Sequence, residues 1–291
     1  MTVAKRSGCK VNLLLNVLGR RPDGFHELET VIQPIALYEE LTFAPASQGI
    51  ELTCSDNSLP TDSRNLVHRA ASFFFKATNT EAGVKMHLEK RIPLAAGLGG
   101  GSGNAAIALQ GLNELFGRPL GLEQLCSLAA SLGSDVPFFL QNQPALATGR
   151  GERIESLGSF PALNGAAFLL VHPGFGIASA WAYQQLQRFP EAVHGRPGRA
   201  HKLISLLRGA NLQSVGQEFY NSLEAPAFDK YPLLAIFTEF FRDNGAAASL
   251  MSGSGSTTFA VTASLADARQ LKGKFEAKFG STHWTTVVGA A

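Results

Sequence analysis

The glycine-rich segment from Pro93 to Ala106, PLAAGLGGGSGNAA, constrains the fold more than any other stretch of the chain. Five glycines fall between Gly97 and Gly103, after an alternating apolar pattern typical of a strand and before a helical one. Glycine permits positive φ and a close backbone approach. The first N–H groups of a helix lack internal acceptors. The segment therefore predicts an anion-binding loop, although a tight strand-to-helix turn also fits these glycines.

Two common nucleotide-binding motifs do not match this loop. No Gly-Lys-Ser/Thr follows it, so it is not a Walker A motif. The third glycine of G-x-G-x-x-G is missing, so a dinucleotide-binding fold is not indicated.

The rest of the chain alternates between strand and helix patterns without strict order, which favours an α+β fold. We predict two domains, residues 1–155 and 156–291. Apolar residues at every second position from Val11 to Val17 predict a strand with Lys10, Asn12 and Asn16 on its other face. Further strands are predicted at 50–54, 84–88, 166–171, 247–251, 258–261 and 284–288. Helices are predicted after Ser63 and Ser179 as N-caps, from the end of the glycine-rich segment to Phe116, and at 122–132, 201–208, 212–223, 233–242 and 266–279.

Composition excludes several classes of protein. The 291 residues are 45% hydrophobic, which suits packed cores. The net charge is only +2, and the sequence has no concentrated basic stripe of the kind that binds nucleic acid. Three cysteines without C-x-x-C spacing argue against a disulfide framework or zinc site and suit a reducing cytoplasm. No apolar run is long enough to span a membrane. Polar residues interrupt the N-terminal apolar stretch, which favours a strand over a signal peptide.

Lys10 and Asp135 are the candidate acid–base residues, but the residues alone leave their roles open. Asp135 stands in LGSDVPFF, where Pro137 favours a new helix, so it also fits an N-cap. Lys10 also fits a surface charge on a half-exposed strand.

Four segments of the chain resemble segments of the GHMP kinases, and the three motifs of that superfamily occur in the expected order. PLAAGLGGGSGNAA is similar to their phosphate loop, Pro-x-x-x-Gly-Leu-Gly-Ser-Ser-x-Ala. It is most similar to the variant Gly-Gly-Gly-Leu-Gly-Gly-Gly-Ser-Ser-Asn-Ala-Ala, with Ala95-Ala96 and Gly103 where that loop has two glycines and a serine. CKVN and LGSDVPFF resemble Pro-Ala-Lys-Leu-Asn and Leu-Gly-Ala-Asp-Val-Pro-Phe-Phe, with Gly8-Cys9 replacing Pro-Ala. MSGSGSTTF, residues 251–259, resembles the third motif, a loop that closes on the substrate.

This resemblance implies a two-domain GHMP kinase fold with a ferredoxin-like C-terminal domain, and phosphoryl transfer from ATP with Mg²⁺. Asp135 would take the proton of the acceptor hydroxyl and Lys10 would stabilise its charge; no protein metal ligand is predicted. The implied nucleotide-binding residues are Asn65, Leu66, Pro93, Leu94, Ala95, Ala96, Gly97, Leu98, Gly99, Gly100, Gly101, Ser102, Gly103 and Asn104. The implied substrate-binding residues are Asn12, Phe25, His26, Tyr183, Gly253, Ser254 and Gly255. Asn221-Ser222-Leu223-Glu224 matches another family segment and is interpreted as structural.

Within the superfamily the phosphate loop is most similar to that of kinases acting on a cytidylated methylerythritol, a small-molecule substrate of the non-mevalonate isoprenoid route. RRPDGFHELET resembles their Gly-Tyr-His segment, so Phe25 and His26 would contact cytosine. HPGFGIASAWAY resembles the region whose aromatic covers the base, with Tyr183 as the first candidate and Trp181 as the second. A hairpin turn at Asp23-Gly24 and a core aromatic at position 183 are simpler interpretations. Two alternatives remain: a homoserine or mevalonate type of GHMP kinase, and a non-catalytic ligand sensor. The sequence carries no signal for an oligomeric state.

Overall fold

The computed structural model describes residues 2–209 and 211–291. They form two compact units that share two long strands, β1 (Val3–Arg20) and β2 (His26–Ala46). A tight turn at Asp23-Gly24 joins these strands, with the Arg21 N–H donating to the Phe25 carbonyl at 2.7 Å. Among the described residues, no helix is both long and apolar enough to cross a membrane.

The first unit contains the residues up to Cys9, Leu37–Ile92 and Gly99–Asn142. Its strands β3 (Ile50–Cys54) and β4 (Gly83–Glu89) are parallel, and β4 pairs antiparallel with the second half of β2. Its helices are α1 (Leu66–Thr78), α2 (Gly100–Leu115), α3 (Leu122–Leu132) and α4 (Val136–Gln141). The helix α1 begins after Asn65, whose side chain accepts from the Val67 N–H, so the predicted N-cap at Ser63 is wrong.

The second unit contains Lys10–Ala36, Pro93–Leu98 and Gln143–Ala291. Here β5 (Ala145–Gly149) pairs with the first half of β2 and with β6 (Arg153–Ser156). After β7 (Ala167–His172), short helices follow: α5 (Ser179–Gln185), α6 (Pro190–Val193), α7 (Arg199–Gly209) and α8 (Leu212–Gly216). The N-cap of α5 is Ala178 rather than the predicted Ser179.

The chain then returns to β1 through the two-residue strand β8 (Tyr220–Asn221), which pairs parallel with it. The predicted helix over 212–223 is therefore wrong beyond Gly216. The remaining elements are α9 (Glu224–Lys230), α10 (Pro232–Asp243), β9 (Ala248–Met251), β10 (Thr258–Thr262), α11 (Leu265–Phe279) and β11 (Trp284–Gly289).

The four strands β7, β9, β10 and β11 form an antiparallel sheet in the order β11-β7-β10-β9. Helices α10 and α11 pack on it through a core rich in phenylalanine. The sequence of strands and helices from β7 to β11 follows the β-α-β-β-α-β pattern, with extra short helices in the first crossover. The predicted ferredoxin-like C-terminal fold and the α+β class are confirmed.

Candidate active site

Lys10 is a buried cation on β1. Its residue is 4% exposed, so the interpretation as a surface charge is wrong. The Nζ atom donates to Asn12 Oδ1 at 2.6 Å and to the Gly97 carbonyl at 3.2 Å, and the Lys10 backbone N–H donates to the Leu98 carbonyl at 3.0 Å. Both the main chain and the side chain of Lys10 therefore contact the glycine-rich segment.

Asn12 extends this polar row on the same face of β1. It is 3% exposed, and its Nδ2 donates to Thr30 Oγ1 at 2.8 Å, which in turn donates to the Leu14 carbonyl at 2.5 Å. Because both ends of the Asn12 amide are engaged, the amide orients Lys10 through its oxygen.

The first half of the glycine-rich loop packs against the loop Ser252–Thr257. Gly97 has φ +76°, and a Cβ there would lie 1.9 Å from the Ser252 carbonyl oxygen. Ser252 Oγ donates to the Gly97 carbonyl at 3.0 Å, and the Thr257 N–H donates to the Ala96 carbonyl at 3.2 Å. The Gly97 carbonyl thus accepts hydrogen bonds from both Lys10 and Ser252, and glycine is required by conformation and by space.

Ala95 replaces a glycine of the family loop at a position where glycine would adopt the backbone conformation with less strain. Its φ is +50°, in the left-handed region that ordinary residues rarely adopt. A Cβ at Gly176 would lie 2.5 Å from the Ala95 methyl, so the missing side chain at 176 makes room for it. In the same segment Leu98 is buried, whereas Leu94 is exposed.

The second half of the loop opens α2. Its N-cap is Gly99 at φ +73°, which offers no side-chain hydrogen bond to the first turn, and the first intrahelical bond runs from the Gly103 N–H to the Gly99 carbonyl. The N–H groups of the residues before Gly103 therefore face outward at the positive end of the helix dipole. A Cβ at Gly101 would meet Leu66, the first residue of α1, at 3.7 Å.

A buried carboxylate that the sequence did not single out holds the segment before this helix. Glu39 forms an ion pair with Lys90 and accepts the backbone N–H groups of Arg91 and Ile92 at 3.0 and 2.8 Å. Asn104 Nδ2 donates to the other carboxylate oxygen at 2.6 Å. Asn104 is thus hydrogen-bonded to Glu39, and Asn65, also predicted beside the nucleotide, caps α1 and donates to the Pro60 carbonyl.

Gly103, where the family loop has a serine, lies against β1. A Cβ there would be 2.6 Å from the Gly8 carbonyl oxygen and 2.8 Å from Ser7 Oγ. Gly8 is itself a departure from the family motif, so two departures far apart in sequence are neighbours in the fold. A serine at 103 would overlap the backbone of β1.

Asp135 occupies the N-cap position of α4, yet its side chain makes no capping hydrogen bond. Its backbone is helical, with φ −83° and ψ −14°, whereas a capping residue is usually extended. The capping interpretation is therefore not supported by the geometry.

Aromatic side chains surround the hairpin turn between β1 and β2. His26 and Tyr183 are stacked, with ring centroids 5.3 Å apart and an interplanar angle of 26°. Phe25 is 52% exposed and carries the Arg150 guanidinium 4.7 Å from its ring centroid. Burial, helped by the nearby charge of Arg20, lowers the pKa of His26, and its buried Nε2 has no hydrogen-bond partner in the described part of the chain. A neutral imidazole with an unused nitrogen can read the polar edge of a base.

The loop Ser252–Thr257 brings one further predicted residue, Gly253, to Lys10 and Asn12. A Cβ at Gly253, where φ is +56°, would lie 3.4 Å from both Lys10 Nζ and Asn12 Oδ1. Ser254 Oγ is hydrogen-bonded to Ser179 Oγ at 2.8 Å. Gly255 has φ +87° and packs on Met251, so the loop conformation depends on its glycines. Within the described residues, no group of three or more His, Cys, Asp or Glu side chains is arranged to hold a metal ion.

Comparison with known proteins places this arrangement in a family. Residues 65–143 match the model of the GHMP kinases N terminal domain, and residues 200–281 match that of the GHMP kinases C terminal domain. A solved structure of 4-(cytidine 5'-diphospho)-2C-methyl-D-erythritol kinase superposes with a TM-score of 0.79 at 33% identity, covering 99% of this chain and all of the other. A homoserine kinase from Cytophaga hutchinsonii, 18% identical with a TM-score of 0.76, shares the fold over 100% of this chain and 94% of its own.

Relatives identified by sequence carry names for the same kinase as the first of these solved structures. The 4-diphosphocytidyl-2-C-methyl-D-erythritol kinase of Pelotomaculum thermopropionicum is 40% identical over 276 residues, covering 94% of each chain. The enzyme of the same name from a Synechococcus strain is 39% identical over 286 residues, covering 95% of this chain and 91% of its own. With identity at this level over nearly the full length, the chain belongs to the 4-diphosphocytidyl-2-C-methyl-D-erythritol kinase family of the GHMP kinases.

Proposed function

We propose that the protein transfers the γ-phosphoryl group of ATP to the 2-hydroxyl of 4-diphosphocytidyl-2-C-methyl-D-erythritol, releasing ADP. The observation that carries this proposal is the buried amino group of Lys10, which donates to the carbonyl of Gly97 and lies beside Gly253. Phosphoryl transfer requires mainly positioning and charge neutralisation from the protein. A cation held by the phosphate loop, next to the third loop, fits both requirements.

We propose Asp135 as the base that takes the proton from the acceptor hydroxyl, while Lys10 neutralises negative charge at the reacting groups. The loop Gly97–Gly103 and the uncapped start of α2 would bind the ATP phosphates through backbone N–H groups. Mg²⁺ is commonly bound by substrate phosphates and one or two carboxylates. We propose that the ion binds together with ATP, held mainly by the ATP phosphates.

We propose that cytosine is recognised by Phe25, His26 and Tyr183. The stack of His26 on Tyr183 supports this, because stacked rings near an exposed Phe25 provide flat surfaces for a base. The unpartnered Nε2 of a neutral His26 can hydrogen-bond to the base edge. Cytosine carries a donor amine where uracil carries an acceptor carbonyl, so a site built for one base should reject the other.

The odd cysteine count suits a reducing compartment, and we propose a cytoplasmic reaction.

The test is an ADP-release assay with four acceptors: the cytidine substrate, its uridine analogue, homoserine and mevalonate. We expect turnover with the cytidine form, and a preference over the uridine form of roughly 5- to 150-fold, from ~1–3 kcal/mol for an unpaired polar edge, since both bases can stack on the same rings. His26→Ala should reduce that preference. Equal use of both bases, or efficient turnover of homoserine or mevalonate, would contradict the proposal.

A further inference from the structure

The segment Asn221–Glu224 joins two elements of the candidate site. It contains the last residue of β8 and the first residue of α9, and its residues hydrogen-bond both to β1 and to the chain around Ser252–Thr257. No residue of this segment was predicted from the sequence to have more than a structural part.

On one side the segment is fixed to β1, the strand that carries Lys10 and Asn12. Asn221 pairs with Leu15 in the parallel register of β8. The Ser222 N–H donates to the Leu15 carbonyl at 2.8 Å, and Ser222 Oγ accepts from the Val17 N–H at 3.0 Å. Ser222 thus continues the hydrogen bonding to β1 beyond Asn221, through its main-chain N–H and its side-chain hydroxyl.

On the other side two polar side chains hold both ends of Met251–Gly253. Asn221 Nδ2 donates to the carbonyls of Met251 and Gly253, each at 2.8 Å. Glu224 Oε1 accepts the Met251 N–H at 2.8 Å. The Asn221 oxygen accepts from the Leu223 N–H at 2.9 Å, so its amide is fully engaged and cannot rotate without losing bonds.

These contacts determine where Gly253 lies relative to Lys10. The Gly253 backbone is beside Lys10 Nζ and Asn12 Oδ1, and Ser252 shares the Gly97 carbonyl with Lys10. We infer that Asn221 and Glu224 are positioning residues, which set the third loop against Lys10 and the phosphate loop and thereby control turnover. This inference rests on the proposed function, since it concerns the same site.

The experiment compares Asn221→Ala with Asn113→Ala as a matched control. Asn113 is also buried and also bonds both polar groups of one backbone residue, the Leu120 carbonyl and N–H, at 2.9 and 3.0 Å, but it lies in the last turn of α2. Both variants lose hydrogen bonds to the main chain and should show comparable falls in melting temperature. We expect a fall in kcat of tenfold or more in Asn221→Ala only, measured well below both melting temperatures.

A second pair covers the case in which Asn221→Ala does not fold. Glu224→Ala should lower kcat, whereas Glu224→Gln, which keeps an oxygen acceptor for the Met251 N–H, should restore most of it. Hydrogen exchange of the peptide containing 252–257, measured without any ligand, should be faster in Asn221→Ala and Glu224→Ala than in the wild type. This readout does not depend on the substrate assignment.

Failure of the inference differs from failure of the proposed function. If the wild type does not phosphorylate the cytidine substrate, the proposed function fails, and exchange of 252–257 still tests the positioning contacts. If the wild type is active and the folded Asn221 and Glu224 variants show wild-type exchange, or lose no more kcat than Asn113→Ala, the positioning role is overturned.

Discussion

Replacing Gly97 with alanine tests the packing between the phosphate loop and the loop Ser252–Thr257. The new Cβ would lie 1.9 Å from the Ser252 carbonyl oxygen, which is too close for any real contact, and neither atom can move away without a shift of the backbone. Overpacking of this kind costs about 1–3 kcal/mol. The φ of +76° adds roughly 1–2 kcal/mol for a residue with a Cβ. The unfolding free energy should therefore fall by about 2–5 kcal/mol.

Gly117→Ala is the matched control, because Gly117 has a similar φ of +80° but nothing within 4 Å of its added Cβ. It should lose only the conformational part, about 1–2 kcal/mol. Urea unfolding of the two variants and the wild type, with the midpoint and slope compared, measures both values. The ADP-release assay should then show a tenfold or greater loss of kcat/KM for ATP in Gly97→Ala, with Gly117→Ala close to wild type.

Equal losses of stability in the two variants would refute the reasoning, because the contact with Ser252 would then contribute nothing. Unchanged kcat/KM for ATP in a folded Gly97→Ala variant would show that this packing does not affect nucleotide binding.

Three further predictions concern other parts of the chain. Asp135→Asn should retain ATP binding by calorimetry and lower turnover by roughly 10²–10⁴, the range for a positioned base, and near-normal turnover would leave Asp135 without a catalytic role. Burial raises the pKa of Glu224 to about 7 from an ordinary 4.5, so the folded state binds the extra proton and stability should fall as pH rises from about 4.5 to about 7. Glu224→Gln should remove up to about 3 kcal/mol of that fall, and parallel curves of unfolding free energy against pH would contradict this. Gly103→Ala should destabilise by about 0.5–2 kcal/mol because of its approach to β1, whereas Gly273→Ala, in open space within α11, should stabilise by about 0.5–1 kcal/mol; equal effects in chemical unfolding would count against this contact.

Local patterns predicted elements that carry one clear period. The strand at 50–54 and the helix at 122–132 have the predicted bounds, because each presents a single apolar face. The long strand β2 was missed, since residues 28–35 are nearly all buried and show no alternation. The helix predicted over 212–223 fails after Gly216 because Tyr220 and Asn221 pair with β1, a tertiary choice that propensity does not encode.

Some features of the candidate site were likewise predicted from the sequence, and others were missed. Alternation placed Lys10 and Asn12 on one face of β1, and motif resemblance selected the glycine loops. The burial of Lys10 and its bond to the Gly97 carbonyl depend on a contact between residues 87 apart, which no local pattern reports. Glu39 was missed for the same reason, because nothing around it in sequence distinguishes it from the neighbouring Glu40 on β2.

The most direct test of the account is to identify the phosphorylated atom. The wild-type protein is incubated with ATP, Mg²⁺ and 4-diphosphocytidyl-2-C-methyl-D-erythritol, and ADP and product are quantified together while ³¹P NMR locates the new phosphate. We predict one ADP for each product molecule and a new phosphomonoester on the 2-hydroxyl, with both formed roughly 10²–10⁴ times more slowly in Asp135→Asn. ATP hydrolysis without a phosphorylated product, or a phosphate on another hydroxyl, would contradict the assigned reaction.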